Sequence, residues 1–174
     1  MKNSNIVLIG YMGCGKTTVG RLLSESLGMD FADTDELIER QMDFSVSDIF
    51  KGYGEEYFRD LETNLIKGLA GNLSNTVLST GGGLVVRKEN HIYLKKTGRV
   101  IYLKVSEFSV VRRLKGDTTR PLLSGSDEEV RKKVHDMLIN RDPLYALAAD
   151  ITVDTDALSP EDVAHEIIKR CDDL

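Results

Sequence analysis

One glycine-rich stretch near the start of the chain constrains the fold more than any other feature. Residues 6–9 form a short apolar run, and the stretch GYMGCGKT follows directly, from Gly10 to Thr17. It fits the pattern G-x-x-x-x-G-K-[ST], and leucines then recur at helical spacing until Gly28. A strand, a phosphate-binding loop and a helix that stops at Gly28 are therefore predicted in that order.

The chemistry of this loop predicts a bound triphosphate. Glycines let several backbone N–H groups turn inward, and the helix that begins near Lys16 points the positive end of its dipole at the loop. We expect Lys16 to reach the β and γ phosphates and Thr17 to offer its hydroxyl to Mg²⁺. Motors, GTPases, helicases and small-molecule kinases share such a loop, so it does not by itself identify the reaction.

The rest of the chain alternates short apolar strands with helices. Further strands are predicted to end near Asp33 and to cover residues 76–80, 99–105 and 150–154. One helix is predicted to begin at Thr34 or Asp35, either of which could cap it. Further helices are predicted over residues 54–70, 88–97, 107–115, 127–140 and 160–170. This alternation predicts an α/β fold in which helices cover both faces of a parallel sheet.

Two of these helices carry more specific signals. In the helix over 54–70 the side chains of Tyr57, Leu61, Leu65 and Leu69 recur at spacings of four, which predicts that this face is the buried one. In the last helix Ser159 is predicted as the N-cap, with Pro160 at the first helical position and Asp162 completing a capping box.

Composition narrows the class of protein. The 174 residues, 41% of them hydrophobic and 29% charged, suffice for one domain over residues 1–174. A net charge of -5 argues against a general nucleic-acid binder. The sequence contains no apolar run of about 20 residues, so no membrane span is predicted. With only Cys14 and Cys171, no disulfide framework can be drawn, so we expect a cytoplasmic protein. The tetrad N-K-x-D of GTPases does not occur, and helicases and motors need a much longer chain, which leaves a small phosphotransferase.

Residues outside the loop suggest an acceptor site. Asp33 and Asp35 are one residue apart at the end of the second predicted strand, so both carboxylates share a face if the strand continues; otherwise they are a helix cap and a surface acid. Gly81 to Gly83 follow the third strand, as a turn or as a place of close backbone approach to a ligand. Arg59 and Arg141 would each be ordinary solvated arginines alone, but together they suggest an anionic substrate.

The chain resembles the shikimate kinase family in a set of motifs in family order and spacing. These are GYMGCGKTTVG at 10–20, DTD at 33–35, FRDLE at 58–62, STGGG at 79–83, RPLL at 120–123 and RDPLY at 141–145. The resemblance implies transfer of the γ-phosphate of ATP to the 3-hydroxyl of shikimate, on the route to chorismate and aromatic amino acids. It also implies a three-layer α/β/α P-loop kinase fold with strand order 2-3-1-4-5, and a monomer is expected.

The resemblance also implies roles for individual residues. On the acceptor side, Asp35 would bind the shikimate hydroxyls and act as the base, while Arg59 and Arg141 would hold the carboxylate beside the backbone of Gly81, Gly82 and Gly83. Metal ligands are implied at Thr17, Ser79 and, through water, Asp33. The residues implied around the nucleotide are Gly13, Cys14, Gly15, Lys16, Thr17, Thr18, Arg113, Arg120 and Pro160.

The moving parts follow from the same resemblance. A substrate-binding helical segment is implied over residues 34–62, and a mobile lid over roughly 115–127 would carry Arg120 onto the phosphates as a catalytic group beside Lys16. Cys14 departs from the commoner alanine or serine, which suggests a side chain outside the phosphate nest and possible thiol sensitivity. Two alternatives stay open: another kinase of this fold, acting on gluconate or a nucleotide, and a nucleotide-binding module without turnover.

Overall fold

The computed structural model describes residues 5–114 and 126–172 of the chain. One sheet of five parallel strands has the order β2-β3-β1-β4-β5. In chain order the strands are β1 (Ile6–Ile9), β2 (Asp30–Asp33), β3 (Thr76–Ser79), β4 (Arg99–Lys104) and β5 (Ile151–Asp154). Both the predicted α/β class and the strand order are confirmed.

Helices cover the two faces of this sheet. They are α1 (Lys16–Leu27), α2 (Thr34–Met42), α3 (Val46–Leu69), α4 (Glu89–Thr97), α5 (Glu107–Leu114), α6 (Asp127–Ala148) and α7 (Pro160–Asp172), with a 3₁₀ turn at Leu84–Val86. Right-handed crossovers put α1 on one face of the sheet and the later connections on the other, because the chain moves from β1 to β2 in one direction and from β2 through to β5 in the opposite one. Helix α7 follows the last strand and joins α1 on its face. The contacts agree: α1 packs on α7, whereas α3 and α6 both pack on α4.

The order of the strands decides where a ligand can bind. Strand β1 lies at the centre of the sheet between β3 and β4, and every residue of β1 and β3 is buried. The chain leaves β1 toward one face and β3 toward the other, so the carboxyl ends of these neighbours flank a crevice. The glycine-rich loop after β1 and the three glycines after β3 therefore face each other across it.

Helix α3 differs from its prediction in length and in its buried face. It begins at Val46 instead of residue 54 and continues through a break at Gly54, where φ is 84° and ψ 173°. Tyr57 is 37% exposed, whereas Leu61, Leu65 and Leu69 are half-buried against the two cores, so the predicted face is wrong at Tyr57 and lies at the edge of the buried face. The side chains that α3 buries are Ile49, Phe58, Arg59, Glu62 and Ile66. Arg59 and Glu62 form a polar pair in this buried face, and a search for apolar spacing alone does not detect such a pair.

Helix α6 is eight residues longer than its predicted end at residue 140. Pro143 lies inside the helix, where proline removes one backbone hydrogen bond. The following turn still packs on β4, with Tyr145 and Ala148 fully buried, and this burial offsets the lost bond. Arg141 and Tyr145 therefore lie one turn apart on the same helix face.

A small second core supports the segment between β2 and β3. Ile38, Ile49 and Phe58 are buried together, apart from the main cluster around the sheet. Within the described ranges, no helix has the length and apolar character needed to cross a membrane.

Candidate active site

The glycine-rich loop joins β1 to α1 in a backbone path that favours glycine. Gly10, Gly13 and Gly15 have φ values of 149°, 75° and 99°, which side chains other than glycine rarely adopt. Lys16 Nζ donates to the carbonyl oxygens of Gly10 at 2.8 Å and Tyr11 at 3.0 Å, so its ammonium lies over the loop. Helix α1 begins directly at Lys16, and its first N–H groups point into the same space. This arrangement suits a polyphosphate anion.

Cys14 lies in the loop but its side chain belongs to the core. The thiol is 2% exposed, and it occupies the space beside Gly10, where an added Cβ would come within 2.8 Å of Sγ. Its side chain therefore packs under the loop, as expected for a tolerated substitution outside the nest. Because reagents reach a buried thiol slowly, the structure gives no support to the suggested thiol sensitivity.

Asp33 has two roles at the end of β2. Its Oδ1 accepts a hydrogen bond from the backbone N–H of Asp35 at 2.9 Å, so the N-cap of α2 is Asp33, and the prediction of Thr34 or Asp35 as cap is wrong. The other oxygen, Oδ2, accepts from Thr17 Oγ1 at 3.4 Å. Ser79 is the neighbour of Asp33 on β3, and its buried Oγ has no partner among the described residues. Carboxylate and hydroxyl oxygens thus converge at this edge.

This set of oxygens suits a magnesium ion, which does not need a site built wholly from protein ligands. In the part of the chain that the structure describes, no cluster of three or more His, Cys, Asp or Glu side chains could hold a metal. Mg²⁺ keeps several waters and binds through one or two protein oxygens together with substrate phosphates. Thr17, Asp33 and Ser79 provide such a sparse oxygen set.

Asp35 lies in the first turn of α2, because the strand does not continue past Asp33. The direction of the Asp35 side chain is therefore set by the geometry of the helix and not by the alternation of a strand. Thr34 Oγ1 accepts from the N–H of Gly81 at 2.8 Å, which ties the glycine turn to this end of α2. An added Cβ at Gly81 would come within 2.5 Å of Asp35 Oδ1, an oxygen with no hydrogen-bond partner in the described ranges. The absence of a side chain at Gly81 thus leaves room for this carboxylate.

Burial changes the acidity of Asp35. Its removal from water, and next the nearby charge of Asp33, raise its pKa to about 6, although Lys16 and Arg59 act in the opposite direction. A carboxylate with this pKa is ionised at neutral pH and is a stronger base than an exposed aspartate. Asp35 can therefore accept a proton from a hydroxyl.

Glu62 is a residue that the sequence reasoning left out of the site. Its carboxyl is 1% exposed, and burial raises its pKa to about 7. Oε2 accepts from Arg59 Nη1 at 2.6 Å, while Oε1 has no partner among the described residues and would lie 2.9 Å from a Cβ at Gly81. The three-residue spacing of arginine and glutamate within FRDLE is the signal that could have identified it.

Arg59 is held in place from several sides. Its side chain is 9% exposed, and Glu55 Oε1 accepts from Nη2 at 2.8 Å, in addition to the pair with Glu62. Burial, the largest single effect, would lower its pKa, but the charges and hydrogen bonds of Glu62 and Glu55 together outweigh burial and raise the pKa of Arg59. The guanidinium occupies the space where Gly83 would carry a Cβ. A fixed cation therefore lies directly against the glycine turn.

Arg141 reaches the same turn from α6. Its Nη1 lies 3.5 Å from the carbonyl oxygen of Gly82, which also accepts a hydrogen bond from Tyr145. The two arginines predicted to bind an anion thus approach neighbouring glycines from different helices. A planar guanidinium on each side suits a carboxylate.

A cleft of about 290 Å³ joins the loop to the acceptor side. Its lining combines residues of the loop, the strand ends and the glycine turn: Met12, Gly13, Gly15, Lys16, Thr17, Thr18, Asp33, Asp35, Ser79, Thr80 and Gly82. Arg59, Arg141, Gly81 and Gly83 do not line this cleft themselves and lie next to Asp35 and Gly82. The structure therefore brings the predicted phosphate and acceptor residues into one region.

The residues expected near the adenine lie at the other end of the loop. Arg113 Nη2 donates to the carbonyl oxygen of Thr155 at 2.9 Å, and Nη1 to that of Gly13 at 3.3 Å. Arg113 thus bridges the glycine-rich loop and the start of residues 155–160. Arg120 and lid residues 115–125 lie outside the described residues.

The capping box before α7 is confirmed. The N–H of Asp162 donates to Ser159 Oγ at 3.1 Å, and the N–H of Ser159 donates to Asp162 Oδ2 at 3.4 Å. Pro160 is the first residue of the helix, and its side chain is exposed. The box fixes the end of the loop that faces Arg113.

Comparison with known proteins gives one consistent result. The family model described as shikimate kinase matches residues 12–172. The shikimate kinase of Thermodesulfovibrio yellowstonii is 47% identical over 170 residues, which cover 98% of this chain and 96% of that protein. That of Persephonella marina is 43% identical, covering 95% of this chain and 98% of the relative. A solved shikimate kinase from Acinetobacter baumannii in complex with shikimate matches with a TM-score of 0.91 and 38% identity, covering 98% and 94% of the two chains.

Proposed function

The chain belongs to the shikimate kinase family, and from this membership we propose how its own residues carry out the reaction. The chain is an ATP-dependent phosphotransferase, and it converts shikimate to shikimate 3-phosphate with release of ADP, as a step of aromatic amino acid biosynthesis. The roles of the individual residues are proposals that rest on the geometry of the site.

One observation supports the assignment of the base above all others. The unpartnered Oδ1 of Asp35 and the loop that carries Lys16 belong to one cleft, and the carboxyl has a pKa of about 6. We propose that Asp35 accepts the proton of the 3-hydroxyl as its oxygen attacks the γ-phosphorus. The bond from that phosphorus to the β,γ-bridging oxygen breaks, and ADP leaves.

The phosphates are assigned to the loop. In this proposal the backbone N–H groups of Gly13, Cys14, Gly15 and Thr18 surround them, and Lys16 moves from the loop carbonyls onto the β and γ phosphates. Thr17 and Ser79, with Asp33 acting through water, would hold Mg²⁺, which supplies charge neutralisation to the phosphates when it is bound. Arg120 would add a cation from the lid during transfer.

The carboxylate of shikimate is assigned to the two arginines. Arg59 is already fixed by Glu62 and Glu55, so little rotamer freedom is lost when it binds an anion. Arg141 lies 3.5 Å from the carbonyl oxygen of Gly82 and also contacts the Tyr145 hydroxyl, and it can turn from these weak contacts toward the ligand. The backbone of Gly81 to Gly83 would lie against the ring, while Arg113 and Pro160 would flank the adenine.

The wider assignments are also proposals. A single domain over residues 1–174 would carry both binding segments, with a lid near 115–127 and a substrate-binding segment at 34–62. It would act as a monomer in the cytoplasm, without a nucleic-acid partner. Light scattering coupled to size-exclusion chromatography tests the monomer directly.

Release of ADP from ATP and Mg²⁺ separates the candidate functions. Shikimate, gluconate and nucleoside monophosphates are compared in parallel, with ³¹P NMR of the product to identify the phosphorylated hydroxyl. We expect turnover with shikimate alone among these acceptors. Turnover with gluconate or a nucleotide instead would assign another kinase of this fold, and nucleotide binding with no turnover on any acceptor would assign a non-catalytic module.

A further inference from the structure

Tyr145 contacts the glycine turn from beneath the site. Its hydroxyl donates to the carbonyl oxygen of Gly82 at 2.5 Å, and the whole side chain is buried. The ring stacks on Tyr102 of β4, with 5.0 Å between the centroids and 21° between the planes. Packing on the sheet therefore fixes the position from which the hydroxyl donates.

The peptide that Tyr145 contacts lies where the two halves of the site meet. A Cβ built on Gly82 would lie 3.4 Å from the carbonyl oxygen of Gly10 in the phosphate loop and 3.7 Å from the Tyr145 hydroxyl. The next residue, Gly83, lies against the guanidinium of Arg59. A rotation of this one peptide would change the backbone that faces both arginines.

Two donors share the carbonyl oxygen of Gly82, and they differ in strength. Tyr145 donates at 2.5 Å, whereas Arg141 Nη1 lies at 3.5 Å, the outer limit of a hydrogen bond. If Arg141 turns to bind an anion, the carbonyl keeps its stronger donor. A buried carbonyl without a partner would oppose that movement, so Tyr145 removes an obstacle to it.

Resting on the proposed function, we propose that Tyr145 is a positioning residue for the shikimate carboxylate. Because the peptide is planar and trans, holding the carbonyl of Gly82 toward Tyr145 directs the N–H of Gly83 the opposite way, away from the present position of Arg141, where it can donate to a carboxylate held by Arg59. Tyr145 thus presents a backbone donor to the substrate and leaves Arg141 available to bind the same group.

The hydroxyl keeps its proton under ordinary conditions. Burial raises the pKa of the Tyr145 phenol above its usual range, although Arg141 opposes this shift. It therefore acts as a donor at neutral and mildly alkaline pH.

The test compares two substitutions that keep the stacked rings. Tyr145→Phe removes the hydroxyl on Gly82, and Tyr102→Phe removes a hydroxyl that donates to Asp142 Oδ1 at 2.5 Å. Loss of one positioned hydrogen bond predicts about a five- to tenfold rise in KM for shikimate in Tyr145→Phe, with KM for ATP changed less than about twofold. The Tyr102→Phe enzyme should show neither change.

A second measurement does not depend on turnover. Amide NMR of the wild-type protein should show the Gly83 N–H signal shifting when shikimate is added, and Tyr145→Phe should shift the same signal in the free protein, since a hydrogen bond to a carbonyl polarises its peptide N–H. Three results would overturn the proposal. They are an unchanged KM for shikimate in Tyr145→Phe, equal rises in both KM values, and a Gly83 signal that does not shift when shikimate is added to the wild-type protein. Absence of wild-type turnover would instead refute the proposed function.

Discussion

Replacing Asp35 by asparagine should remove most of the activity and yet stabilise the protein. The pKa of this carboxyl is about 6 in the folded chain, against 3.8 for an unperturbed aspartate. The folded state therefore holds the proton more tightly than the unfolded state, and ionisation above pH 6 destabilises the fold. The difference is about 2 pKa units, and at about 1.4 kcal/mol for each unit the penalty reaches at most about 3 kcal/mol at pH 8.

The pH dependence gives the sign of this effect. Above pH 6 the penalty is fully present, at pH 5 about half of it remains, and below pH 4 it disappears because the carboxyl is protonated in both states. Asparagine has no charge at any of these values. Asp35→Asn should thus raise the free energy of unfolding by up to about 3 kcal/mol at pH 8, or the melting temperature by about 6–12 °C, with little gain at pH 4.

Urea unfolding followed by far-ultraviolet circular dichroism at pH 5 and pH 8 measures this difference, since the chain has no tryptophan. The matched control is Asp30→Asn, which neutralises an exposed aspartate at the start of β2. In parallel, kcat should fall about 100-fold or more when the base is removed. A stability difference that is equal at both pH values, or a loss of stability at pH 8, would refute the argument that burial of a charge sets the pKa of Asp35.

Three further outcomes follow from the same site. The acid limb of kcat/KM for shikimate should have an apparent pKa near 6, because Asp35 must be ionised. Glu62→Gln should move this limb little, because a carboxyl with a pKa of about 7 is already mostly protonated at pH 6; a shift of more than about one unit would contradict this order of titration. Arg141→Ala should raise KM for shikimate about 30- to 100-fold and KM for ATP less than about twofold, and equal rises would exclude the carboxylate contact. Gly81→Ala should lower kcat at least about tenfold, because its Cβ would lie 2.5 Å from Asp35 Oδ1. The control Gly52→Ala, with nothing within 4 Å of the new Cβ, should leave kcat unchanged. Similar kcat values for both variants would contradict a steric conflict between residue 81 and Asp35.

The local sequence predicted the elements whose signals are local. The phosphate loop is fixed by glycines whose backbone angles other residues rarely adopt, and the box at Ser159 and Asp162 needs only a spacing of three. Gly28 ends α1 with φ of 63°, as its position indicated. Each of these features forms from residues within one or two turns of each other, so the tertiary fold leaves them unchanged.

The errors arose where tertiary packing overrode a local signal. The apolar spacing predicted that α6 ends near residue 140, but the helix continues through Pro143 because burial of Tyr145 on the sheet outweighs one missing hydrogen bond. The spacing of Tyr57 with later leucines predicted the buried face of α3; the leucines are half-buried, but the fully buried side of the helix also contains Arg59 and Glu62, which hydrogen-bond to each other. A hydrophobic pattern cannot identify a buried ion pair.

The sequence by itself determined that a polyphosphate binds after β1, and its set of motifs identified the family, because these depend on residue types at fixed spacings. Only the tertiary structure determined the acidity and the orientation of the functional groups in the site. It half-buried Asp35 beside Asp33, left its buried Oδ1 facing Gly81, and placed Tyr145 under Gly82, 63 residues away in the chain. Acidity and orientation depend on distance and on exclusion of water, and residues far apart in the sequence set both of these quantities when the sheet brings them together.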